Sequence, residues 1–182
     1  MTKHIEDEEL LNMLADSNSR QYAFSLMVNK YSKKLYLVIR RLVITHDDTD
    51  DVLQNTWLQV HRFLEGYRQN SSLYTWLYRI AVNESLAHLK KEKRKRIFSS
   101  KPFDEDLKNA ISSGVDIDAD VLEKKLQIAI ISLPEKQRAV FQMRYFDEMP
   151  FQQISEIMGT SVGALKANYH YAAKKIEEYM LA

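Results

Sequence analysis

The stretch SSLYTWLYRIAVNESLAHLKKEKRKR, Ser71 to Arg96, decides how this chain folds. Leu73, Leu77, Ile80 and Ala81 recur at i, i+4, i+7 and i+8, the stripe of a helix with one face on a core. Trp76, Arg79, Asn83 and Lys90 fall on a different face. An aromatic plane, a guanidinium, an amide and an ammonium are the groups that stack on bases, read base edges and hold phosphates. The helix then runs into KKEKRKR, residues 90–96, a dense cluster of positive charge. Each piece also has a plainer reading, as a core tryptophan, a solvated asparagine and a wet basic surface.

Composition extends the helical reading to the whole chain. Its 182 residues suffice for one ordinary domain or two small ones. With only four Gly and three Pro among long runs of Leu, Ala, Lys, Glu, Gln and Arg, helix is favoured nearly everywhere and an all-α fold is expected. The absence of cysteine removes disulfides, thiolate metal sites and cysteine nucleophiles together, and it fits a reducing cytoplasm. No apolar run approaches the roughly 20 residues that span a bilayer, and the chain opens without a basic-then-apolar leader pattern. A soluble, cytoplasmic protein is expected.

Net charge is only +1, but it is unevenly distributed. Residues 1–97 carry 16 Lys and Arg against 12 Asp and Glu, residues 98–121 carry 2 against 6, and residues 122–182 carry 8 against 7. Two small helical domains, 1–97 and 122–182, are therefore expected on either side of an acidic flexible linker, 98–121, which concentrates Ser, Asp and Gly and lacks periodicity. Charge this modest argues against tight non-specific DNA binding by the free protein.

Outward from the opening stretch, Phe24, Val28, Tyr31, Leu35, Val38 and Leu42 mark a long amphipathic helix, whose Lys30, Lys33, Lys34, Arg40 and Arg41 read as solvated. The next helix starts at THDDTDDV, where Thr45, Asp47 or Asp48 is the candidate cap, and its expected buried stripe is Leu53, Trp57, Val60 and Leu64. Opposite that stripe, Asp51, Asn55, Leu58 and Arg62 line up with Gln54 beside them. Acid, amides, an outward leucine and an arginine together suit a protein partner, or else a plain solvated face. GYRQNSS, comprising Gly66, Tyr67, Arg68, Gln69, Asn70, Ser71 and Ser72, breaks the pattern just before the Trp76/Asn83 face. It reads as a connection or as a pocket for an extruded base.

The second module opens with Leu122, Leu126, Ala129 and Leu133 as a helical stripe and restarts after Pro134 with Ala139, Val140, Met143 and Phe146 inward. A short helix with Ile154, Ile157 and Met158 stops at Gly159, and Thr160 or Ser161 caps a longer one with the stripe Val162, Leu165, Tyr169, Ala172 and Ile176. A short and a long helix about a tight glycine turn make a helix-turn-helix. In a major groove, the second helix would present Gly163, Ala164, Lys166, Ala167, His170, Tyr171 and Lys174.

Taken in order, DVLQNTWLQVHRFL, SSLYTWLYRIAVN, LPEKQRAVFQMRYF and ISEIMGTSVGALKANYHYAAKKI resemble the extracytoplasmic-function (ECF) class of bacterial sigma-70 factors, with regions 2 and 4 and no region 3, over about residues 20–180. The resemblance implies an RNA polymerase sigma factor that binds core polymerase, recognises promoters and helps open the duplex. It implies that Asp51, Gln54, Asn55 and Leu58 dock on the clamp helices of the β′ subunit and that the second module meets the β flap. It implies that Gly66 to Ser72 hold a flipped base of the −10 element, with Trp76, Arg79, Asn83 and Lys90 beside them. Ser161, Lys166, Ala167, His170, Tyr171 and Lys174 match the −35 side. An anti-sigma factor is a further implied partner. The chain departs from the family where KANYHYAAKK replaces an arginine-rich run and where Ala87 replaces a frequent acid.

The competing reading is a helix-turn-helix regulator that acts without polymerase. For an enzyme the residues offer little: His4, His46, His61, His88 and His170 are scattered, with no HExxH, P-loop or GxSxG pattern. No catalysis, cofactor or metal is expected.

Overall fold

The computed structural model describes residues 5–99 and 121–182, which form eight α-helices and contain no strand. The N-terminal group comprises α1 (Asp7–Ala15), α2 (Arg20–Val43), α3 (His46–Phe63), a 3₁₀ turn (Leu64–Gly66) and α4 (Leu73–Ser99). The C-terminal group comprises α5 (Val121–Ile131), α6 (Glu135–Phe141) with a π turn continuing it (Gln142–Phe146), α7 (Phe151–Met158) and α8 (Val162–Leu181). The linker expected over 98–121 lies outside the described residues except at its ends, where Phe98 and Ser99 continue α4 and Val121 begins α5.

Helices α2, α3 and α4 pack pairwise against one another, and α1 lies on α2. Ala23, Met27, Tyr31, Leu35, Val38, Ile39 and Leu42 make the buried side of α2, so the core stripe is wider than the expected one and leaves Phe24 and Val28 half-buried. Along α4, Leu73, Leu77, Tyr78, Ala81, Val82 and Ser85 are buried, while Ile80 stays half-buried. Burying a large aliphatic chain fully is worth about 1.5–3 kcal/mol, so these stripes fix which way each helix faces.

In α3 the buried side is Thr49, Val52, Thr56 and Val60, rotated from the expected stripe, with Leu53, Trp57 and Leu64 only half-buried. The reason is local. The Thr49 hydroxyl donates to the Thr45 carbonyl at 2.5 Å and that of Thr56 to the Val52 carbonyl at 2.7 Å, so both threonines enter the core without an unsatisfied polar atom. The Thr45 side chain caps the helix by accepting from the Asp48 N–H. The corner ahead of it falls on Ile44 at φ 83, a conformation that costs a β-branched residue about 1–3 kcal/mol.

Helix α1 is held by a charged knot. Lys30 Nζ donates to the Ile5 carbonyl at 2.6 Å and to Asp7 at 2.7 Å, and the Tyr31 hydroxyl also donates to Asp7. Partial burial works against ionising Asp7, but these two donors outweigh it and hold the carboxyl below its ordinary range. Leu10 and Leu14 beneath it are buried.

In the C-terminal group, α8 packs on α5, α6 and α7. Ala129, Ile130, Leu133, Phe141, Ala172 and Ile176 form one cluster, and Phe141 stacks on Tyr145 and on Tyr169. Two expected core residues are exposed instead: Leu122 at the open start of α5, and Phe146, carried outward by the π turn. The two groups also touch. Helix α7 lies against α4, α6 against α4 and α2, and one hydrophobic cluster runs from Leu35 and Leu77 through Met143, Met149, Ile154 and Ile157. No helix among the described residues is long and apolar enough to cross a membrane.

Candidate nucleic-acid and partner interfaces

The outward side of α3 presents Asp51, Gln54, Asn55 and Leu58, all exposed, with Arg62 and Phe63 extending the same surface. Leu58 is 64% exposed, although it sits in the middle of an 18-residue helix whose other side is core. Acidic residues at the start of α3 and a basic Arg62 at its end also suit the helix dipole.

The segment between α3 and α4 is short and shaped from within. The Tyr67 hydroxyl donates to the Ser71 carbonyl at 2.6 Å, closing a five-residue loop on itself, and Gln69 takes φ 55 at its tip. The Ser72 hydroxyl accepts from the Thr75 N–H at 3.1 Å and so caps α4. Gly66, Arg68, Gln69, Asn70 and Ser72 are exposed, and Tyr67 and Ser71 are half-buried. A Cβ added at Gly66 would meet no atom within 4 Å.

Trp76 packs its ring against Tyr67, centroids 4.9 Å apart, and is half-buried against the core. Asn83 and Lys90 are exposed one and three turns further along α4 than Arg79, which is half-buried. The Arg79 Nε is buried and has no hydrogen-bond partner among the described residues. Arg79 and the exposed Asn83 follow Trp76 along the first turns of α4, and a guanidinium, an amide and an aromatic ring are the groups that hold an unstacked nucleotide. Lys91, Lys93, Arg94 and Lys95 continue the exposed positive surface past Lys90.

The third face belongs to α7 and α8. Gly159 ends α7 at φ 61 with its N–H donating to the Ser155 carbonyl, and the Ser155 hydroxyl donates to the Thr160 carbonyl at 2.7 Å. Ser161, not Thr160, caps α8 by accepting from the Ala164 N–H. Leu165, Ala172 and Ile176 point inward, and Lys166, Ala167, His170, Tyr171 and Lys174 are all exposed, as a groove-reading helix requires. Lys174 lies 3.8 Å from Glu178, which takes up part of its charge. Among the described residues no group of three or more His, Cys, Asp or Glu is placed to hold a metal.

Two protein-family descriptions match the chain in the order of these faces: "Sigma-70 region 2" over residues 27–95 and "Sigma-70, region 4" over residues 124–176. The chain belongs to the sigma-70 family, in its extracytoplasmic-function class. This sigma factor is 28% identical over 191 residues to the ECF RNA polymerase sigma-E factor of Haemophilus influenzae, covering 97% of this chain and 96% of the relative. It is 29% identical over 181 residues to the RNA polymerase sigma-H factor of Pseudomonas aeruginosa, with 95% and 93% covered. Among solved structures, its fold is similar to that of the sigma factor RpoE from Bartonella quintana, which was crystallised with the anti-sigma factor NepR. There the TM-score is 0.68 at 19% identity, over 87% of this chain and 97% of the other. Regions 2 and 4 thus fall on the two groups of helices described above, and the protein is a transcription initiation factor.

The sequence did not reveal three features of these surfaces. Arg138 on α6 is 4% exposed, its Nη1 donating to the Ile131 carbonyl at 3.3 Å and its Nε without a partner among the described residues. Burial pulls its guanidinium down to about 10, a reading that no sequence pattern around PEKQR suggests. Tyr78 is buried and bonded to Asp147, and Arg41 is paired with the same carboxylate, although both residues lie far from it in sequence.

Proposed function

We propose that this sigma factor docks on core RNA polymerase through Asp51, Gln54, Asn55 and Leu58 of α3, captures a −10 base with Gly66 to Ser72, Trp76, Arg79, Asn83 and Lys90, and contacts the −35 element through Ser161, Lys166, Ala167, His170, Tyr171 and Lys174. Residues 1–97 would act as the polymerase and −10 domain and 122–182 as the −35 domain. The clamp helices of β′ are the partner of α3, the β flap that of the second domain, and an anti-sigma factor a competitor for either. The single observation that supports this assignment is the matching order of regions 2 and 4 with three outward faces left open. The protein performs no bond chemistry of its own; polymerase supplies that, in the cytoplasm.

Melting follows from base capture. A base held out of the stack offsets a few kcal/mol of the pairing and stacking lost, and half-buried Arg79 beside exposed Asn83 suits that task. Mixing purified core polymerase and this protein with a random promoter library tests the assignment: initiation from a selected two-part sequence is expected. No initiation above core polymerase alone overturns it. The regulator that works without polymerase finds no support, because it gives the region 2 match no role.

A further inference from the structure

Helix α1 lies outside the region 2 match, which begins at residue 27, and none of the three faces above includes it. It is nevertheless tied to both ends of the loop Gly66 to Ser72. At the entry, Arg20 makes two contacts at once. Its Nε donates to the Leu14 carbonyl at 3.1 Å, in the last turn of α1, and its Nη1 donates to Glu65 Oε1 at 2.9 Å, in the 3₁₀ turn that leads into the loop. At the exit, Asp7 in the first turn of α1 accepts from the Tyr31 hydroxyl, and the buried Tyr31 ring stacks on Tyr74, centroids 5.9 Å apart. Tyr74 is the second residue of α4, two positions past Ser72. Lys30 donates to the same Asp7 and to the Ile5 carbonyl, so this strut is anchored at more than one point. Between the two struts, Tyr67 closes the loop on Ser71 and packs against Trp76. Burial first and the charge of Asp7 second raise its hydroxyl above the ordinary range, which sets the loop and the start of α1 side by side.

The entry strut adds little as a bond. The Arg20 and Glu65 side chains are 43% and 80% exposed, and an ion pair so open to water contributes little to stability. What the pair fixes is position. A binding group displaced by about 1 Å weakens a site far more than it weakens the fold. We infer that α1 is a buttress of the base-capturing loop, with Arg20 and Asp7 as positioning residues that set the entry and the exit of Gly66 to Ser72 and so decide how firmly an unstacked −10 base is held. The inference rests on the −10 reading proposed above for its ligand, and it adds residues that act through the loop.

The test uses the full-length protein with core polymerase on a promoter recovered from the library assay, in which nucleotides of the non-template −10 strand are replaced one at a time by abasic sites. Open-complex formation by the wild type should fall roughly ten-fold or more at one position, that of the captured base, and less elsewhere. Arg20→Gln, Glu65→Ala and Asp7→Asn should each form roughly three- to ten-fold fewer open complexes on the intact promoter and shrink the penalty at that one position to about two-fold or less. Core polymerase should bind all three as tightly as the wild type, since Asp51, Gln54, Asn55 and Leu58 lie on α3, away from both struts. Glu65→Ala removes an exposed side chain, so it tests the entry strut even if an α1 variant folds poorly, and circular dichroism checks each fold. Variants with a peak as sharp as that of the wild type overturn the buttress. So does a loss spread evenly over all positions together with weaker core binding, which marks a purely structural role. A wild-type profile without a peak overturns base capture by the loop itself, and that outcome separates the failure of the −10 reading from the failure of the buttress alone.

Discussion

Leu58 leaves most of its surface in water on a helix that has a buried side available, and nothing among the described residues covers it. Replacing it with Glu should change stability by no more than about 0.5 kcal/mol, the usual range for surface positions. Affinity for core polymerase should nevertheless fall at least ten-fold in a fluorescence binding titration, because an apolar anchor at an interface centre costs about 1–2 kcal/mol or more when lost. Gly159 calls for the opposite experiment. It stands at φ 61, and a Cβ there would meet no atom within 4 Å, so Gly159→Ala isolates the backbone cost. Urea denaturation should report a loss of about 1–2 kcal/mol, with Gly159→Asn losing less.

At the scale of the element, α1 depends on an ionised Asp7. Its carboxyl is held below the ordinary 3.8, so its stabilising contribution is fully present above that value and is lost as pH falls through the lower folded-state value. Protection factors of the α1 amides, taken against the intrinsic exchange rate at each pH, should therefore fall below about pH 4 in the wild type, whereas Asp7→Asn should show the lower protection already at neutral pH and no such acid step. Helix α6 carries the reverse case. Burial disfavours the charge on Arg138, so Arg138→Met should be neutral or stabilising in thermal melting. On α8, Lys166→Ala and Lys174→Ala should each reduce the salt dependence of promoter binding by about one unit of log K against log salt. Helices were the most legible part of the sequence, since α2, α4, α7 and α8 announce themselves by spacing and caps. Register was less so: α3 turns Thr49 and Thr56 inward because each hydroxyl finds a carbonyl one turn back, which a hydrophobic count does not register. Phe146 was misplaced because a π turn widens the coil just where the α period would have pointed it inward. The exposed faces were legible because they are complements of stripes, but the Tyr78–Asp147 contact was not, joining residues that no local pattern connects.

For the whole molecule, charge and recognition have to be read together. With a net charge of +1, the free protein is expected to bind promoter DNA weakly at physiological salt and to gain most of its affinity when polymerase presents it, a difference that filter binding with and without core enzyme would measure. The α8 face lacks arginine, offering Lys166, His170, Tyr171 and Lys174 instead, while the face proposed for the −10 element has Trp76, Arg79 and Asn83. Base changes in the −10 element should therefore reduce transcription more than changes in the −35 element; the reverse ranking would contradict this weighting. Helix α4 bears on both groups of helices, since it carries the proposed −10 face along one side and supports α7 along another. A genetic screen for weakened alleles should accordingly find pleiotropy here: a lesion under this rod, at Leu73, Leu77 or Ala81, would blur two kinds of promoter defect that lesions elsewhere keep apart.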